Sequence, residues 1–195
     1  MNLKGEKTKQ DIRGKAGLLF AKKGFKEVTM KDICTATGLS RGGLYRHYKS
    51  TTQIFLEIVN ELASRQKNSI SAKTRQHIPA TAILEELLSK YANEMADYEN
   101  SLSLAIYEFY SSPAISKEDN SVKKQYETSK SAWVELINYG IATKEFKNVN
   151  PEAVFNLIVF AYQGVRMYSR LMKIDNNVPA QIINEIKKLL LPGEV

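Results

Sequence analysis

Lys31-Asp32-Ile33-Cys34-Thr35-Ala36-Thr37-Gly38-Leu39-Ser40-Arg41-Gly42-Gly43-Leu44-Tyr45-Arg46-His47-Tyr48 is the stretch whose reading decides the fold. Thr29 can cap a helix that runs through Thr37. Gly38 breaks that helix where the backbone must turn left-handed. Ser40 can cap a second helix over about residues 41–48. Cys34 supplies the small residue needed where two such helices cross, and Ile33, Leu39 and Leu44 lock one onto the other. The face turned away from these locks is polar and basic: Arg41, Tyr45, Arg46 and His47. A helix of that kind can enter the major groove of double-stranded DNA, with Lys31, Lys49 and hydroxyl side chains on phosphates. The plainer alternative is a helical hairpin with a glycine turn.

Charge separates these alternatives. Residues 1–65 hold 13 Lys and Arg against 6 Asp and Glu, while residues 66–195 hold 15 of each. The whole excess of +7 therefore lies in the first third of the chain. A basic head on a neutral body points to a polyanion partner. A lysine-rich solvated arm would show the same balance without the turn motif.

Outward from the motif, apolar spacings of three and four predict an all-α chain of about nine helices. Ile12, Ala16, Leu19 and Phe20 share a face of the first helix, which Gly24 stops. Ser50 can cap the fourth, which extends through the polar stretch from Gln66 to Gln76. Ile83, Leu84, Leu87, Leu88, Tyr91 and Met95 mark the fifth; Leu102, Ala105, Ile106 and Phe109 mark the sixth. A seventh, from about Ser116 to Thr143, turns Val122, Tyr126, Trp133 and Ile137 inward. Asn150-Pro151 starts the eighth and Pro179 the ninth, which ends before Pro192. Residues 1–49 are expected as a helix-turn-helix domain and residues 50–195 as a helical body. No apolar run approaches the ~20 residues that span a bilayer. The first residues offer no signal peptide, and Cys34 is a lone cysteine. These features lead us to expect a cytoplasmic protein that does not enter a membrane.

Ala16, Phe20, Gly24-Phe25, Thr29, Asp32-Ile33, Gly38-Leu39-Ser40, Leu44-Tyr45 and Tyr48-Lys49-Ser50 resemble the DNA-binding domain of the TetR (tetracycline repressor) family over about residues 8–60. The resemblance implies a homodimer, usually a repressor, that leaves a DNA operator when a small-molecule effector enters the body. It places Thr29 and Tyr45 on phosphates, Lys31, Arg41, Gly43 and His47 at or near bases, and Lys49 on the backbone. Ser40, Gly42 and Arg46 complete the expected contact set. The chain departs from the family at Cys34, where alanine is frequent, and at Thr51, where a phosphate-directed lysine is usual. Thr51 can still offer its hydroxyl from a helix N-terminus. The pair Gly42-Gly43 costs helix stability of about 1 kcal/mol per glycine. Either it is tolerated near a helix end, or the backbone presses close to the DNA there.

The body is rich in aromatic residues. Tyr91, Met95, Tyr107, Tyr110, Trp133, Ile137, Phe155 and Tyr162, with Arg166 as a charged anchor, are the candidate effector lining. The alternative is an ordinary core, although each tyrosine hydroxyl wants a partner. Glu94, Glu108 or Glu135 would suit a lipophilic cation, and Arg166 or Arg170 a carboxylate. The eighth helix is apolar nearly all round, and with the ninth it is expected to build a two-fold dimer. His47 and His77 lack metal-ligand spacing, and no nucleophile or phosphate-loop motif is present, so neither cofactor, metal nor enzymatic activity is expected. The rival functions are an effector-independent DNA-binding protein and an all-α lipid-binding protein or enzyme with a basic head.

Overall fold

A computed structural model describes residues 3–97, 100–112, 121–175 and 177–193. Among these residues there are nine α-helices and no strand. In order they are α1 (Leu3–Lys23), α2 (Met30–Thr37), α3 (Arg41–Tyr45), α4 (Thr51–Arg75), α5 (Ala80–Ala96), α6 (Ser103–Tyr110), α7 (Ser121–Ala142), α8 (Pro151–Tyr168) and α9 (Asn177–Leu190). The expected class and helix count therefore hold. No described helix is long and apolar enough to cross a membrane.

Several helix ends are set by the local signals. Thr29 caps α2 in a reciprocal pair with Asp32, and Gly38 closes it at φ 73° with its N–H on the Cys34 carbonyl. Ser50 Oγ accepts from the Gln53 N–H at the start of α4. Asn150 caps α8 through the Glu152 and Ala153 amides, with Pro151 at the first position. Other ends differ from expectation. The third helix stops at Tyr45, and the turn through Arg46 and His47 folds Tyr48 into the core. α9 starts two residues before Pro179, which a first turn accommodates because its amides have no helical acceptors. The expected start of the seventh helix near Ser116 lies outside the described residues. Val122, expected inward, is 44% exposed. The buried run of α7 is Ala132, Trp133, Leu136, Ile137 and Gly140.

The chain divides into two compact units. The first holds Met1–Leu62 and Glu99–Asn120; the second holds Ala63–Tyr98 and Ser121–Val195. The division thus falls inside α4 rather than at the expected boundary of 49 and 50, and α6 belongs with the head. The core of the first unit is aromatic. Phe25 meets Phe109 edge-on at 4.7 Å, and Phe55 packs on Phe20, Phe25 and Phe109 at 5.0–5.1 Å. Each such pair contributes about 0.5–1.5 kcal/mol beyond its burial.

The second unit packs α5, α7, α8 and α9 around Leu84, Leu88, Trp133, Leu136, Phe155 and Ile186. Two contacts there have no local signal. Pro79 cannot cap α5 with a side chain. Glu145 does so from beyond α7, accepting from the amides of Ala80 and Thr81 at 3.0 Å each. Burial raises the Glu145 pKa, but these bonds with those of Thr143 and Thr81 outweigh it and hold it below the ordinary range. Gly140 lies so close to Phe146 that a Cβ would stand 2.2 Å from its ring. Only glycine lets that ring seat against α7.

Candidate nucleic-acid interface

The helix-turn-helix is built as its sequence requires. Ile33 and Leu44 are fully buried and Leu39 packs partly beside them. Cys34 is half-buried against the same core. The polar residues then have one direction left. Lys31, Ser40, Arg41, Gly42, Tyr45, Arg46 and Lys49 are exposed, as is Thr29; Gly43, His47 and Thr51 are half-buried. Arg41 and Tyr45 stand one turn apart on the same face of α3.

Charge pairing distinguishes these cations from four others in the unit. Lys9 and Arg13 are met by Glu57, Arg13 also by Glu61, Lys15 by Asp11 and Lys23 by Asp32. Among the described residues, Lys31, Arg41, Arg46 and Lys49 form no ion pair. Four unpaired cations thus lie on and beside the motif; Lys4, Lys7, Lys22 and Lys26 are the others of this unit without an ion pair among the described residues.

The caps assign some hydroxyls elsewhere. Thr29 Oγ1 gives its proton to Asp32, whose carboxylate also accepts from the Thr29 amide and from Lys23. Those bonds, in that order, hold Asp32 well below the usual carboxylate range. Ser40 Oγ accepts from the Gly43 amide at 3.1 Å. A Cβ at Gly43 would approach Ser40 Oγ to 3.3 Å, whereas one at Gly42 would meet nothing within 4 Å. Gly42 therefore has no packing reason within the chain.

The aromatic set of the body separates. Tyr91, Met95, Trp133, Ile137, Phe155 and Tyr162 are buried in one cluster of the second unit. Tyr107 and Tyr110 lie on α6 in the first unit; Tyr107 is 61% exposed and Tyr110 packs on Phe109. Tyr91 and Tyr162 stack at 4.2 Å. The Tyr91 hydroxyl accepts from Trp133 Nε1 at 3.2 Å and from Gln66 at 3.0 Å. The Tyr162 hydroxyl donates to Glu94 and accepts from Arg166, whose guanidinium lies 4.7 Å from its ring centre. Burial pushes both phenols up; Arg166 opposes it at Tyr162, and Trp133 and Gln66 oppose it at Tyr91. Of the other candidate acids, Glu135 is held by Ser71 and Thr74, and Glu108 by the amides of Phe25 and Lys26. Sequence reading missed this last contact, because its partners lie 83 and 82 residues apart.

Residues 15–58 match the family described as bacterial regulatory proteins, tetR family. Residues 83–178 match the tetracyclin repressor-like C-terminal domain. The chain is 25% identical over 198 residues to the HTH-type transcriptional regulator QacR of Staphylococcus aureus, covering 99% of this chain and 98% of that one. It is 27% identical over 154 residues to the HTH-type transcriptional repressor KstR2 of Mycobacterium tuberculosis, covering 73% and 72%. A TetR-family transcriptional regulator from Agrobacterium tumefaciens shares the fold at a TM-score of 0.75 and 14% identity, over 96% of this chain and all of that one.

Proposed function

Because the chain belongs to the TetR family of transcriptional regulators and is a helix-turn-helix DNA-binding regulator rather than an enzyme, we propose that it is a homodimeric repressor of a palindromic operator, released by a small hydrophobic or aromatic effector. The unpaired, exposed cations Lys31, Arg41, Arg46 and Lys49, brought together on and beside the helix-turn-helix, carry the DNA part of this reading. Arg41 is the base-reading residue, through a bidentate contact to guanine. Lys49 and Lys31 hold phosphate, with Tyr45, Ser40, His47 and Thr51 beside them. Thr29 acts mainly through the α2 cap, since its proton is engaged. Gly42, without a neighbour in the chain, allows the backbone close to the duplex.

Arg41→Ala is expected to lose about 1–3 kcal/mol of operator affinity per half-site and to relax preference at one base pair. Lys49→Ala is expected to weaken all duplexes alike and to lower the salt slope by about one. Both are measured by titration of duplexes selected from random DNA across a salt series. If neither variant differs from the parent, α3 does not read DNA.

Repression is supported by the similarity to KstR2, a transcriptional repressor. Dimerisation through α8 and α9 is supported by an apolar stripe on α8 that its own unit leaves exposed, Ala153, Leu157, Phe160 and Tyr168, with the half-buried Gly164 between the last two. α9 contributes Leu189, also exposed, and Ile182, while its Ile183, Ile186 and Leu190 serve the internal core. A two-fold dimer gives two reading helices and hence a palindromic site.

The effector lining is Tyr91, Met95, Trp133, Ile137, Phe155, Tyr162 and Arg166. A ligand there must part the Tyr91–Tyr162 stack and take over hydroxyls now held by Trp133, Gln66, Glu94 and Arg166. That demand favours a flat aromatic molecule with a polar group. Trp133 is the only tryptophan, so its fluorescence reports entry. An effector is expected to change that emission and to release the operator over the same concentration range. A panel of aromatic amines and acids that changes neither signal would leave an effector-independent regulator.

A further inference from the structure

α3 is five residues long and carries two glycines. A segment so short does not hold a helix by itself. Its direction is set by what fixes its two ends. At the start these are the Ser40 cap and Leu39. At the far end they are Leu44 and Tyr48, both fully buried.

Tyr48 is the informative one, because phenylalanine would fill the same space without a hydroxyl to satisfy. Here the hydroxyl sits among charged groups from two other helices. It donates to Glu57 Oε2 of α4 at 2.7 Å and accepts from Arg13 Nη1 of α1 at 3.1 Å. Arg13 also donates to the same Glu57 oxygen at 3.2 Å and, through Nε, to Glu61 at 2.8 Å. Lys9 stands 4.0 Å from Glu57 and 5.4 Å over the Tyr48 ring. Two cations and two carboxylates balance, so this cluster offers no net charge to phosphate. Burial first, then acceptance of its proton by Glu57, pushes the phenol up to about 12. The hydroxyl therefore remains a donor throughout the neutral range. The next residue, Lys49, is fixed as well: its amide donates to Gln53 Oε1 of α4 at 2.9 Å.

We infer that Arg13, Tyr48 and Glu57 are positioning residues for operator reading, tying the end of α3 to α1 and α4 so that Arg41 and Lys49 meet DNA in register. The inference rests on α3 being the reading helix. Its physical content is directional. A buried ring can slide or rotate by fractions of an ångström, and recognition tolerates only about 0.5 Å and 10–20° of error. Three hydrogen bonds to one hydroxyl–carboxylate pair remove that freedom.

The test compares Tyr48→Phe, Glu57→Gln and Arg41→Ala on two probes: a duplex selected from random DNA by the parent protein, and an unselected duplex of the same length. Thermal unfolding fixes a temperature at which every variant is folded. Tyr48→Phe is expected to lose selected-duplex affinity on the order of tenfold, with unselected binding within about twofold of the parent. Glu57→Gln is expected to lose affinity in the same direction, and the double variant to lose less than the sum. A purely structural role would lower the unfolding midpoint and leave the ratio of the two affinities at the parent's value, and that result overturns the inference. If Tyr48→Phe does not fold, Glu57→Gln carries the same comparison. Should Arg41→Ala lower the ratio while the other two leave it unchanged, only the positioning role is lost. Should all three leave it unchanged, α3 is not the reading helix and both readings fall.

Discussion

Phe160→Glu is expected to sediment as a monomer and to lose operator affinity on the order of a hundredfold or more. Phe160 is 66% exposed and Leu157 is 59% exposed on the outer side of α8. They alternate with Ala153, Ala161 and Gly164 at helical spacing, and Gly164 has open space where a side chain would project. Large apolar side chains between small ones form the surface on which a second helix can pack closely. Burying each contributes about 1.5–3 kcal/mol, counted on both protomers. A two-fold axis brings a residue near its own copy, so one glutamate places two like charges in an apolar seam. Once the dimer separates, two half-sites are no longer bound as one event, and the gain from linkage is lost. Sedimentation reads the mass, and a selected duplex reads the affinity. A parental mass at micromolar concentration would remove α8 from the interface.

Phe109→Ala is expected to destabilise the first unit by about 3–5 kcal/mol, the range for truncating a buried phenylalanine. Its ring is fully buried and touches Phe25, Phe55 and Tyr110. A domain is stable by only about 5–15 kcal/mol, so the loss leaves the head near its melting point. Urea unfolding followed by far-ultraviolet circular dichroism should show an earlier first transition, with operator binding recovered on moderate cooling. A change below about 1 kcal/mol would mean that α6 is not part of the head's core.

The helix-turn-helix was legible because its signals are local. Thr29 with Asp32, Gly38, Ser40 and the apolar trio Ile33, Leu39 and Leu44 each act within a few residues of one another, and each is found where its chemistry predicts. The all-α class followed from periodicity for the same reason. What escaped was long-range. Ala105, Ile106 and Phe109 have the spacing of a buried helix face, but spacing does not say which core receives them; α6 joined the head instead of the body. That assignment moved Tyr107 and Tyr110 away from the other candidate lining residues. Glu145 capping α5 and Glu108 on the amides of Phe25 and Lys26 have partners about 65 and 83 residues away. Nothing in a linear pattern couples such positions. The shortness of α3 was hidden by a different cause: Tyr48 falls one turn after Leu44 and both are buried, so the pattern of polarity continues past Tyr45 and marks no stop there.

Hybrid regulators are commonly imagined as cut and joined between a DNA-reading head and a sensing body. This chain forbids the simplest such splice. A head transplanted as residues 1–49 or 1–62 would leave behind Phe109, which closes its aromatic cluster, and Glu108, which receives the paired amides of Phe25 and Lys26. The transplanted piece would expose the edge of its own core and two backbone donors at the turn before α2. A workable graft has to carry the α6 segment with it, or take a host whose corresponding helix presents an aromatic residue preceded by an acid. The unit of exchange is therefore discontinuous in the gene although continuous in the molecule.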